Sequence, residues 1–223
     1  MTTKDDSPNL TKNPHLDHEN ALWINGAFWI AGIDEAGRGA LAGPVVAAAV
    51  VLPNDTTMAL RLEGVRDSKQ MSSNQREVWK DIIMKLAVSY GIGAASAQEI
   101  DDVGIVPATK KAASRAIDSL AINPDCLLLD YLNLAQYSIP QISLTKGDEV
   151  SLSIASASVL AKTARDTLMV AFDDLYPGYR FSNHKGYGTK LHLNKLQQVG
   201  PSPIHRRSFA PIRQWENSDP VIS

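Results

Sequence analysis

Disulfides are out of reach for this chain. Its 223 residues hold one cysteine, Cys126, inside the apolar run CLLLD, the setting of a small core hydrophobe. The fold must therefore rest on burial alone, which a chain of this length can supply, and a reducing cytoplasm suits it. Long hydrophobic runs are missing too. None approaches the ~20 residues needed to span a bilayer, so no membrane partner is expected. The first twenty residues, MTTKDDSPNLTKNPHLDHEN, contain no apolar signal core. Without apolar periodicity, residues 1–26 read as a flexible extension, residues 27–215 as one globular domain and residues 216–223 as a tail. No exposed heptad or apolar stripe stands out, so a monomer is expected.

Acid is absent from one long window. Between Leu175 and Trp215 there is no Asp or Glu, although the whole chain has a net charge of −2. The same window holds Arg180, Lys185, Lys190, Lys195, Arg206, Arg207 and Arg213, with His184, His192, His205 and several aromatics interleaved. Such a segment reads equally as a polyanion-binding face or as a solvated face that lacks acids.

What is present reads as alternating strands and helices. Phe28–Ile33 and the valine-rich run Pro44–Leu52 have the character of strands, the second buried on both faces. Further strands are expected at Val88–Ala94, at Cys126–Leu129 ending on Asp130, and at Gln141–Leu144. Helices are expected at Ser72–Ala87, Ala97–Asp102, Pro107–Ala121 and Thr189–Val199, with Asp148 opening a long one to Leu175. The order predicts an α/β fold with a central mixed β-sheet flanked by helices, and a site beyond the strand ends.

The most informative stretch is Ile30–Pro44, IAGIDEAGRGALAGP. Asp34 and Glu35 end a strand, where adjacent acids are costly to desolvate and contribute nothing to a core. A hard divalent cation would offset that cost. Gly37 and Gly39 allow close backbone approach, and Arg38 adds a phosphate-seeking fork. Asp130 ends a second strand. If the two strands are parallel neighbours, the acids meet at one sheet edge, and Asp148 could join from the turn Lys146-Gly147-Asp148. Alone, Asp148 reads as a helix N-cap and Asp130 as a turn residue. Lys69, in Asp67-Ser68-Lys69, reads as a loop feature or as a phosphate contact. Carboxylates without Cys or His partners select oxygen-loving ions rather than zinc.

The stretches GIDEAGRGALAGPVVAAAVVL, RDSKQMS, KGDEVSLSIASASVLAKTARD, HKGYGTKLH and PIHRRSF together resemble the bacterial ribonucleases HII, the type 2 RNases H. The resemblance implies the RNase H fold over 27–215 and Mg²⁺- or Mn²⁺-dependent hydrolysis. The implied partners are RNA–DNA hybrids and DNA duplexes carrying single ribonucleotides. It assigns Asp34, Glu35, Asp130 and Asp148 as catalytic metal ligands. It makes Gly37, Arg38 and Gly39 a sensor of the ribonucleotide 2′-OH, and Tyr187 the aromatic on the adjoining sugar. From their charge and position rather than from the resemblance, Lys69 and Lys185 are expected to add substrate contacts. Two departures stand out. The family usually places Gly after the strand-end Asp, where this chain has Tyr131. Longer relatives also carry a further C-terminal helical segment, so a weaker duplex grip is expected here.

Overall fold

Strand β1 (Ile30–Ala36) pairs antiparallel with β2 (Val45–Val51), Ile33 opposite Ala49. In the computed structural model, which describes residues 13–216, β2 lies inside a five-stranded sheet and is buried along its whole length. Strand β3 (Ser89–Ala95) runs antiparallel along its outer side. On the other side of β1, β4 (Cys126–Asp130) and β5 (Gln141–Leu144) add in parallel, giving the order β3-β2-β1-β4-β5. The mixed α/β sheet expected from the sequence is therefore present.

Strand parity sorts the side chains. From β2, Val45, Ala47, Ala49 and Val51 join the core on one face, while Ala48 and Val50 join that on the other. The short helix α1 (Asp17–Ile24), the turn α2 (Met58–Arg61) and α3 (Ser73–Leu86) lie with the Ala48 face. After α4 (Ala97–Val103), α5 (Ile105–Asp118) covers the opposite face with Ala108, Ala112 and Ala116. A turn, α6 (Gly147–Val150), precedes the 24-residue α7 (Leu152–Leu175). The small residues of α7 allow very close packing on β1. A Cβ at Gly32 would stand 2.3 Å from the Ser153 carbonyl carbon. The chain closes with α8 (Phe181–His184), α9 (Lys190–Val199) and α10 (Ala210–Glu216). Among the described residues no helix is long and apolar enough to cross a membrane.

Three expectations are corrected. Asp148 does not open the long helix. It sits in α6, and Ser151, extended at φ −123° and ψ 127°, breaks the chain before α7 and caps it. The basic window does not form one outward face either. His184, His192, His205 and Arg206 are buried, because they pack beneath the loop after β1 instead of facing solvent.

The third correction concerns the N-terminus. Residues 1–12 and 217–223 lie outside the described residues, so the tail expectation concerns mostly those. Residues 13–26, however, are docked. Leu16 and Trp23 are buried, and Glu19 is 1% exposed. His15 pairs with Ser151, its carbonyl accepting from Leu152 N at 2.9 Å. Eight residues are too few for an apolar period to show, and the donors to Glu19 Oε1 lie 132 and 134 residues away.

Tyr131 explains one departure from the resembling family. It adopts φ 52°, a left-handed conformation that glycine takes freely and other residues at a cost of about 1–2 kcal/mol. Its side chain is exposed.

Deleting residues 1–26 is expected to destabilise the domain, because Leu16 and Trp23 each bury about 2–3 kcal/mol of apolar surface. Thermal unfolding should show a fall of roughly 10 °C or more, and an unchanged midpoint would show that α1 does not dock in solution.

Candidate metal centre and nucleic-acid interface

Parallel pairing of β1 with β4 puts Ile33 opposite Leu129, so Asp34, in the last part of β1, lies beside Asp130, the last residue of β4. Both share the parity of Leu128, which packs on the α7 face. The break at Ser151 turns α6 toward that strand end and delivers Asp148. Ligand oxygens of Asp34, Asp130 and Asp148 all lie within 4.8 Å of one another. Asp34 and Asp148 are buried and Asp130 half-buried.

Donors hold the three acids in place. Asp34 Oδ1 accepts from the Glu35 amide at 2.7 Å, and the Ser158 hydroxyl also donates to Asp34. Ser158 is itself bonded to Ser68 at 2.9 Å. Asp130 Oδ1 accepts from the Gly147 amide at 2.8 Å, which ties the strand end to the turn carrying Asp148. Lys69 Nζ stands 3.7 Å from Asp148 and 3.8 Å from Asp67, so it neutralises the cluster edge while most of its side chain remains exposed.

Burial raises the Asp34 carboxyl well above the usual range, and the charges of Glu35 and Asp130 add to it. Burial likewise lifts Asp148 to about 6, with Asp67 and Asp130 adding and Lys69 opposing. Glu35 is raised by burial against the pull of Arg38. Buried like charges that resist ionisation are what a divalent cation would relieve.

Glu35 stands outside the trio because strand alternation starts it toward the other face. Its Oε1 accepts from Arg38 Nη1 at 3.1 Å, so the Arg38 fork is engaged within the protein. Its Oε2 is buried without a hydrogen-bond partner, an orphaned oxygen beside three convergent carboxylates. An all-oxygen donor set with a spare buried oxygen fits one or two hard divalent ions.

The Gly37-Arg38-Gly39 loop is shaped by two arginines that sequence reasoning missed. Arg206, fully buried, donates from Nη2 to Gly37 O and from Nη1 to Arg38 O, both at 2.7 Å, and from Nε to Gly43 O at 3.0 Å. Arg165, also fully buried, donates to Pro44 O and Lys185 O at 2.9 Å and to Ala42 O at 3.0 Å. Gly37 has φ +93°, and a Cβ there would lie 1.9 Å from Arg165 Nε, so only glycine fits. Gly39 has open space around it. The readable signal for Arg165 was helical spacing, since Ser158, Ala161, Arg165 and Met169 share the buried stripe of α7.

Tyr187 lies across this junction, half-buried. Arg165 Cζ is 5.3 Å and Lys162 Nζ 5.5 Å from its ring centre. His192 Nδ1 approaches the Tyr187 carbonyl at 3.0 Å, and its Nε2 meets His205 Nε2 at 3.0 Å. Lys185 bonds through Nζ to the Ser182 carbonyl and faces the cavity lined by Arg76, Thr163 and Asp166. Arg76 and Lys162 both bind Asp166, at 2.9 and 2.7 Å, and Lys185 lines the same cavity. The trio thus stands at the strand ends, with the glycine loop and Tyr187 joined through Arg165, whereas Arg38, Lys69 and Lys185 are all engaged within the protein.

Comparison with known proteins gives the family. The family model "Ribonuclease HII" matches residues 31–212. A ribonuclease HII from Synechococcus sp. (strain JA-3-3Ab) is 51% identical over 203 residues, covering 91% of each chain. Among solved structures, ribonuclease H2 from Pyrococcus horikoshii OT3 superposes with a TM-score of 0.70 at 26% identity, over 85% of this chain and 97% of that one. Bst-RNase HIII in complex with Mn²⁺ shares the fold, with a TM-score of 0.62 at 18% identity over 86% and 70% of the two chains. With its family pattern spanning the whole sheet and the convergent acids, the chain belongs to the ribonuclease HII family and is a type 2 ribonuclease H.

Proposed function

We propose that this protein is an endonuclease that cuts the RNA strand of RNA–DNA hybrids and incises at single ribonucleotides within duplex DNA, by two-metal-ion hydrolysis. The convergence of Asp34, Asp130 and Asp148, with the orphaned Glu35 Oε2 beside it, carries this reading. In it, the four acids hold Mg²⁺ or Mn²⁺; Bst-RNase HIII, which shares the fold, has been solved in complex with Mn²⁺. Such ions, when bound, activate a water and stabilise the leaving oxygen of a phosphodiester.

The chain's own residues do the rest. Arg206 occupies the carbonyls of Gly37 and Arg38, so the loop meets the 2′-OH through its amide side and without base preference. Arg38 restrains Glu35 and stays exposed enough to reach a phosphate. Lys69 orients Asp148 until phosphate approaches, then contacts the backbone. Tyr187, stiffened by Arg165 and Lys162, packs on the adjoining deoxy sugar. Lys185 lends positive charge beside it. Phosphate contacts of this kind position the duplex and carry no sequence information.

The direct test is digestion of duplex DNA carrying one ribonucleotide, with and without Mg²⁺. Cleavage should require the metal and fall to background in Asp34→Asn, while the fold, followed by circular dichroism, is kept. Ordinary cleavage by this variant would remove the assignment.

Tyr187→Ala should slow junction cleavage about tenfold, the rate equivalent of roughly 1.4 kcal/mol. On a hybrid with a uniform RNA strand the loss should be much smaller, since no deoxy sugar sits there. Equal losses on both substrates would return Tyr187 to a packing role.

A pH series separates the acids from the rest of the fold. Asp148 has its folded value raised to about 6, so without metal its contribution to stability is present at low pH and is lost as pH rises through about 6. Added Mg²⁺ should reverse that loss. The difference in melting temperature with and without Mg²⁺ should be largest near neutrality and fade as pH falls through about 6. His192 and His205, lowered by burial to about 4, cost stability as pH falls below about 6.5, yet they act with and without metal and cancel in the difference. A metal effect that does not change with pH would contradict the carboxylate assignment.

A further inference from the structure

Asp148 is the one member of the trio that no strand supplies. It reaches Asp34 and Asp130 only because the chain breaks at Ser151, between α6 and α7. That break exposes the first N–H groups of a 24-residue helix, which need acceptors once buried. The Ile154 N–H finds the Ser151 hydroxyl at 3.3 Å. The other two go to the N-terminal segment. Leu152 N donates to His15 O at 2.9 Å, and Ser153 N donates to Glu19 Oε1 at 3.0 Å. The same Glu19 oxygen accepts from the hydroxyls of Ser151 at 2.7 Å and Ser153 at 2.6 Å.

Oε2 of this carboxylate is buried without a hydrogen-bond partner, while Oε1 receives three donors at the positive end of a long helix, which makes it an anchor. It holds the capping serine itself, and Ser151 N is bonded back to Gly147 O at 2.8 Å. Gly147 in turn donates to Asp130 Oδ1 at 2.8 Å. A continuous set of hydrogen bonds therefore runs from Glu19 through Ser151 and Gly147 to the metal-facing acids. Close packing of Gly32 against Ser153 fixes the same helix start to β1.

We propose that Glu19 is a positioning residue for the metal centre: it fixes the Ser151 break and so holds Asp148 in reach of Asp34 and Asp130. This rests on the metal-centre reading above. Glu19 touches neither metal nor substrate and acts through Ser151 and Ser153. The N-terminal helix is then part of the active-site scaffold, tied to it across more than half the chain.

The test is Mn²⁺ binding to the full-length protein by calorimetry, together with the metal-free melting temperature. Loss of an outer support of this kind weakens metal binding by about tenfold or more, so Glu19→Ala should raise the Mn²⁺ dissociation constant by about that factor. Half-maximal cleavage should need correspondingly more Mn²⁺, with added metal recovering rate. Glu19→Gln keeps length and one acceptor but loses the charge, and should give a smaller rise, roughly threefold. This variant decides the matter should the alanine variant not fold. A dissociation constant equal to the parent's in a folded variant, even with a lowered melting temperature, overturns the proposal and leaves Glu19 as a fold residue. Asp34→Asn keeps the two readings apart. If it abolishes Mn²⁺ binding while both Glu19 variants bind like the parent, only the Glu19 proposal falls. If it binds Mn²⁺ like the parent, the metal-centre reading falls and takes the Glu19 proposal with it.

Discussion

Two guanidiniums buried without direct carboxylate bonds organise this molecule. Arg165 and Arg206 give three hydrogen bonds each to backbone carbonyls, from Gly37, Arg38, Ala42, Gly43, Pro44 and Lys185. Burial lowers both from their ordinary values, and each repels the other. Only charge-assisted bonds to a full set of acceptors offset such a cost. Removing either side chain would take a charged donor from three carbonyls, of which Gly37 O also accepts from the Ala40 amide at 3.3 Å. The glycine loop therefore has one shape, and the Lys185–Tyr187 segment is docked to it by the same cation that stacks under the Tyr187 ring.

The acids live on the opposite balance. Asp34, Asp130 and Asp148 converge at a cost, with Lys69 Nζ 3.7 Å from Asp148. Local rules are broken here in exchange for a site, the expected place for such a breach in a folded chain. The surroundings bear the strain. Amides of Glu35 and Gly147 hold two of the carboxylates, Ser158 and Ser68 back the first, and the small residues of α7 let helix and strand approach closely enough for the acids to meet.

Much of this was legible in the chain. The valine-rich run of β2, the capping box of α3 at Ser72 and Gln75, and the acid that ends β4 all declare themselves locally, because strand alternation and helix capping are short-range effects. The acidic pair before Gly-Arg-Gly named the chemistry for the same reason, since adjacent carboxylates at a strand end have few structural uses. What misled was also local. The N-terminal twenty residues look polar, and the basic window looks outward, because net polarity does not reveal which single side chains turn in.

By itself, then, the sequence determined the five strands, most of the longer helices and the family. Tertiary structure alone decided which acids share one ligand space, that Glu35 is drawn off toward Arg38, and that the N-terminal segment caps the start of α7. It also decided that Arg165, Arg206 and three histidines lie inside. The physical reason is one of range. Backbone propensity and alternation act over a few residues, whereas the partner of a buried charge can lie 132 positions away, as Ser151 does from Glu19, and only the folded chain brings the two together.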